Sequence, residues 1–178
     1  GFGNNRSEIN AIYAYCDGGT LYLGVTGNLQ DFNKLDLFFD STAGGQNSLR
    51  GDNADVDFNQ LNNNLGGLTF DGGFEADYFL TYTINGDRNE HYTSAAQLNA
   101  LGGGPGGFQG GGFRGGDGAQ IVVAGANGFG YTIASDQSNT GGVGDFDNAP
   151  DSDPALVLTG HEIAITLDEI GYTGGLLR

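Results

Sequence analysis

Carboxylates in short-spaced groups are the side chains of this chain best suited to chemistry. They fall in Asp52-Asn53-Ala54-Asp55-Val56-Asp57, in Asp71 with Glu75 and Asp77, in Asp145-Phe146-Asp147-Asn148 and in Asp151-Ser152-Asp153. Calcium takes six to eight hard oxygen ligands, and alternating Asp or Asn side chains on an irregular loop, with carbonyls between them, supply several at once. The spacing therefore leads us to expect Ca²⁺ at Asp52, Asp55 and Asp57, or at Asp145, Asp147, Asp151 and Asp153. No segment satisfies the calcium-loop pattern D-x-[DN]-x-[DN]-G-x5-E, and the nonapeptide repeat of calcium-binding β-rolls is missing too.

Other chemistries find less support. His91 and His161 lie on separate segments without a partner at ligand spacing, and the single cysteine, Cys16, has no companion in a CxxC. We read His91 as an exposed polar residue beside Tyr92, His161 as a strand-start residue and Cys16 as a small buried hydrophobe. Carboxylate pairs hydrolyse glycosides, but with 22 acidic residues nothing singles out one pair, and there is no Trp to stack on a sugar. No nucleophile elbow accompanies either histidine. The expectation is a protein that is not an enzyme. Tyrosines offer flat faces in place of Trp, with Tyr78 and Tyr82 the candidates for glycan contact. Asn5-Arg6-Ser7 is a glycosylation sequon at Asn5.

The elements that must position these groups are strands. In TLYLGVTG, Leu21, Leu23 and Val25 alternate with Tyr22 and Thr26; in KLDLFFD, Leu35, Leu37 and Phe39 oppose Asp36 and Asp40. The same period predicts strands over 9–16, 77–84, 119–125, 129–135, 155–160 and 161–167. Asp17-Gly18-Gly19 reads as a hairpin turn, and so does Asn127-Gly128. Short helical turns are expected at 58–67, 94–102 and 167–171. Eight candidate strands with little helix predict an all-β fold, an antiparallel β-sandwich of jelly-roll or immunoglobulin-like type with long Gly/Asn/Asp-rich loops. At 178 residues, one domain spanning 1–178 is expected.

Two connections, 41–76 and 136–154, exceed the usual loop length, and we expect an ion to order them. Residues 102–118 hold eleven glycines in seventeen positions. Without a Lys, and with a strand expected next, this stretch is not a phosphate loop, and we read it as a surface loop of the same domain.

Composition narrows the partners. A formal charge of −16, from 6 basic and 22 acidic residues, repels the phosphate backbone, so no nucleic-acid partner is expected. No run approaches the roughly 20 apolar residues of a membrane span. The chain opens GFGNN rather than with Met, which suits a processed, secreted product.

LYLGVTGNL, FNKLDLFFDSTAGGQN, GLTFDGGFEADYFLTY and GHEIAITLDEIG together resemble the secreted bacterial β-sandwich domains of exosortase-sorted (PEP-CTERM-type) surface proteins. The layout is also similar to carbohydrate-binding family 9 and DOMON-like sandwiches. The resemblance covers roughly residues 9–171 and carries no catalytic motif. It implies a non-catalytic extracellular protein at the cell surface. The expected function is a self-associating subunit of a layer, sheath or filament, a homo-oligomer or homopolymer built by strand complementation. The alternative is a carbohydrate-binding module that recognises extracellular polysaccharide.

Overall fold

A computed structural model describes residues 7–86, 90–113, 121–124, 129–138 and 157–178. Among the described residues, nine strands form an antiparallel β-sandwich. They are β1 (Glu8–Asp17), β2 (Thr20–Asn28), β3 (Lys34–Phe39), β4 (Tyr78–Asn85), β5 (Glu90–Gln97), β6 (Gly106–Phe113), β7 (Ile121–Ala124), β8 (Tyr131–Asp136) and β9 (Gly160–Thr166). One sheet has the order β1-β2-β9-β8-β7 and the other β3-β4-β5-β6.

Period-two alternation sends one set of side chains from each sheet inward. Leu21 and Val25 of β2, Ile133 of β8 and Ile163 and Ile165 of β9 meet Leu35 and Phe39 of β3 and Tyr78, Leu80, Tyr82 and Ile84 of β4. The β1–β2 hairpin closes through Gly18 and Gly19, with φ of 54° and 81°, the positive values that a tight two-residue turn requires at both positions.

The long connection between β3 and β4 packs back onto the sheet through apolar side chains. Leu49, Val56 and Leu61 pack with Phe79, Ala96 and Leu98 into a second apolar cluster on the outer face of the four-stranded sheet. Hydrophobic burial therefore contributes to ordering the segment, and part of that sheet is covered on both faces. This also corrects the helix expected over 94–102: Ala95 and Ala96 point into the inner core and the outer cluster respectively, so small residues fill a strand enclosed on both sides. The helical expectation at 58–67 survives only as a π-helical turn, Gln60–Asn64, and at 167–171 the chain makes turns.

The glycine-rich stretch is also corrected. Residues 106–113 form edge strand β6, paired with β5, rather than a surface loop. A Cβ on Gly106 would lie 2.6 Å from the Ala96 Cβ and 2.8 Å from the Ala54 Cβ, so glycine is what lets the β3–β4 connection sit down on this strand. Residues 114–118 lie outside the described residues. The strand expected over 155–160 is not formed at 157–159, and Asn127-Gly128 lies outside the described residues. Cys16 is exposed on β1, against the buried position expected for it.

Candidate functional site

The covering connection stops short of the far end of the four-stranded sheet and leaves a groove of about 710 Å³, within the usual range of ligand clefts, ≈ 300–1,000 Å³. Its floor is set by strand register. Lys34 of β3, Thr83 of β4 and Tyr92 of β5 lie side by side, and Ser94 is paired with Phe108 of β6. Tyr92 and Phe108 stand with ring centroids 6.4 Å apart. The Tyr92 hydroxyl donates to Glu90 at 2.7 Å, which holds its proton and raises its pKa.

The walls carry two aromatic side chains turned toward water: Phe32 is 73% and Phe58 93% exposed. Both have left-handed backbone, with φ of 65° and 56°, and the run Asp57-Phe58-Asn59 is left-handed throughout. A bulky residue is an outlier in that region, at a cost of about 1–2 kcal/mol. Folding gains nothing from presenting these rings to solvent. The strained turns are fixed by local bonds. The Phe32 amide donates to the Ile84 carbonyl at 2.7 Å, and the Asn59 amide donates to Asp55 Oδ1 at 2.8 Å. Lys34 Nζ is ion-paired with Asp57 beneath Phe58, and Thr83 Oγ1 donates to the same carboxylate at 3.4 Å. Asp36, next along β3 on the same face, is pushed above the usual carboxylate range chiefly by burial.

The aspartates expected to bind calcium are held by protein groups. Asp52 forms a bidentate pair with Arg50 at 2.8 and 2.6 Å, which lowers its pKa, while Asp55 and Asp57 make the bonds just given. Among the described residues no three His, Cys, Asp or Glu side chains converge. Asp145, Asp147, Asp151 and Asp153 lie outside the described residues, as does Asn5 of the sequon.

Tyr78 and Tyr82 are corrected as glycan contacts. They share the inward phase of β4 with Leu80 and Ile84 and are each 1% exposed. Burial pushes both phenols upward. Nor is His91 at the surface. It alternates inward on β5, its Nδ1 bonded to the Tyr82 hydroxyl. The Tyr82 ring also stands edge-on to His161, with centroids 4.8 Å apart. His161 Nε2 lies 3.3 Å from Gln137 Nε2, and Gln137 Oε1 accepts the Leu29 amide at 2.8 Å. These side chains tie the two sheets together through a polar patch in the core.

Phe32, Phe58 and Lys34 were not singled out as site residues by sequence reasoning, although a signal was present. Asp-Phe-Asn occurs at 31–33 and again at 57–59, each time an isolated aromatic between residues that favour turns. No family model, curated protein or solved structure matches the chain.

Proposed function

We propose that the protein is a non-catalytic extracellular binding module whose groove takes an uncharged segment of extracellular polysaccharide. The observation that carries this is the pair of strained, solvent-facing phenylalanines over a floor of Tyr92, Phe108, Thr83, Ser94 and Asn85. Backbone strain concentrates where a ligand repays it. Flat apolar faces with a few hydroxyl and amide groups suit the C–H faces and hydroxyls of a pyranose. Asp55, Asp57 and a molecular charge of −16 disfavour polyuronic acids, so neutral chains are the expected ligands. The resemblance to carbohydrate-binding sandwiches points the same way.

Affinity electrophoresis against a panel of neutral extracellular polysaccharides tests the proposal. At least one should retard the protein, and Phe32→Ala with Phe58→Ala should weaken binding at least about tenfold, in line with the loss of aromatic anchors. Phe58→Asn should do the same while raising the melting temperature, because Asn accepts left-handed backbone more readily than Phe. Failure of every polysaccharide to retard the protein, or variants that bind as well as the parent, would overturn it.

A second reading is self-association into a surface layer, sheath or filament. It is favoured by β1, a ten-residue edge strand with seven exposed residues among Ile9–Asp17. Calcium is an additional proposal, resting on the spacing of the aspartates at 145–153. If it holds, chelator should lower the melting temperature of protein purified with calcium; a chelator-indifferent melting temperature would remove it.

A further inference from the structure

We propose that β1 is the docking edge for a second copy of this chain, added antiparallel across a two-fold axis at Ala14; this rests on the self-association reading above. The β1–β2 ladder pairs Ile12, Ala14 and Cys16 with Val25, Leu23 and Leu21, so these three side chains are on the core-facing side of the sheet. The opposite sheet does not reach beneath them: all three are exposed, Ile12 to 62%. On the other face Tyr13 and Tyr15 are equally uncovered, Tyr15 to 66%, beside Tyr22 at a ring distance of 6.4 Å.

Among the described residues no strand pairs with the other edge of β1. The two-residue turn closes on a hydrogen-bonded Asp17–Thr20 pair. Antiparallel alternation then directs the N–H and C=O groups of Cys16, Ala14 and Ile12 away from β2. A bulge between Ile9 and Ala11 ends the regular edge at its start, leaving Ala11 to Asp17 in unbroken register with β2.

The occupant follows from charge and pattern. The chain carries a net −16, yet residues 9–16, INAIYAYC, contain no charged side chain. A partner drawn by charge would dock on the acidic surfaces instead, whereas this strip selects for neutral, alternating side chains, which its own sequence supplies. With Ala14 opposite the partner's Ala14, Ile12 meets the partner's Cys16 and Tyr13 meets the partner's Tyr15. Asp17 falls opposite the partner's Ala11, so no two carboxylates face one another. The two five-stranded sheets become one continuous sheet. A contact made by one strand and its side chains belongs with the smaller, weaker interfaces, so the dimer should be concentration-dependent.

Sedimentation velocity from low micromolar to near-millimolar protein should show a monomer–dimer equilibrium. Ile12→Lys should weaken it at least tenfold. Ala14→Pro removes an N–H that points to the open edge, not one used in the β1–β2 ladder, and should weaken it similarly with the far-ultraviolet circular dichroism unchanged. As a gain-of-signal arm that does not depend on those variants folding, Ile12→Cys with native Cys16 should give a covalent dimer under mild oxidation. The two positions are too far apart along one strand to bridge within a chain. A monomer at every concentration would overturn both this proposal and the self-association reading. A dimer that survives both substitutions and yields no 12–16 cross-link would overturn the β1 edge alone.

Discussion

Between pH 7 and pH 4 the protein is expected to lose stability through one side chain, His161, by roughly 3 kcal/mol. His161 is 6% exposed, packed against the Tyr82 ring, with Gln137, Ser135, Val25 and His91 as its neighbours and no carboxylate among these described residues. Burial, with a smaller contribution from His91, pulls its pKa down to about 3. Gln137 Nε2 donates to Nε2, so the neutral ring carries its proton on Nδ1, which has no hydrogen-bond partner among the described residues, and a second proton on Nε2 would face a donor instead of an acceptor. The sign follows directly. Above about pH 6.5 the imidazole is neutral in both folded and unfolded chains. Between there and about 3 only the unfolded chain takes the proton, so stability falls steadily as pH falls. Relief of repulsion in a chain of net −16 and the raised pKa of Asp36 act in the opposite direction. The measurement is therefore a difference: urea midpoints at pH 7 and pH 4 for the parent and for His161→Gln. The parent should lose more on acidification than the variant; equal losses would show that His161 is not the cause.

Gly160→Ala is expected to destabilise by at least about 3 kcal/mol, a fall in melting temperature of roughly 6–12 °C. Gly160 begins β9 opposite Thr26 with φ of 143°, and a Cβ there would lie 2.2 Å from the Val25 carbonyl oxygen. The obstacle is backbone in the strand that joins β1 to β9, so no side-chain rotation relieves it. Gly18 is the control: its φ of 54° is within the reach of Asn, and a Cβ there would meet nothing within 4 Å. Gly18→Asn should change the melting temperature little. Thermal melts of both variants decide the matter, and a Gly160→Ala protein as stable as the parent would show that β2 and β9 can separate without cost.

The β-sandwich was legible because its inner strands alternate cleanly: Leu21, Val25, Ile163 and Ile165 all declare a buried face. β5 and β6 were not. In β5 the run Thr93–Ala96 is buried on both faces, which erases alternation, and in β6 glycine removes the side chains that would reveal it. The inward phase of Tyr78 and Tyr82 could be read from Leu80 and Ile84 between and beyond them, but their aromatic character suggested a surface instead. The groove was hidden for a different reason. It is assembled from the β2–β3 turn, the β3–β4 connection and four strands, and only the third dimension brings Phe32, Phe58 and Phe108 to the lining of one groove. The repeated Asp-Phe-Asn marks the two turns without indicating that both line one groove.

The pairing of β2 with β9 has a consequence for how this chain reaches its native state. Thr20 is paired in a ladder with Thr166, and Thr26 with Gly160, so β2 is completed by a strand about 140 residues further along the chain. The four-strand meander β3-β4-β5-β6 closes through sequential neighbours and can form first. The β1–β2 hairpin must then remain without its second neighbour until β9 arrives, across a large loop whose closure entropy is unfavourable. Throughout that interval β2 has an unpaired edge. Folding should accordingly be slow, and the uncharged strip beside β2 is where premature association between nascent chains would start.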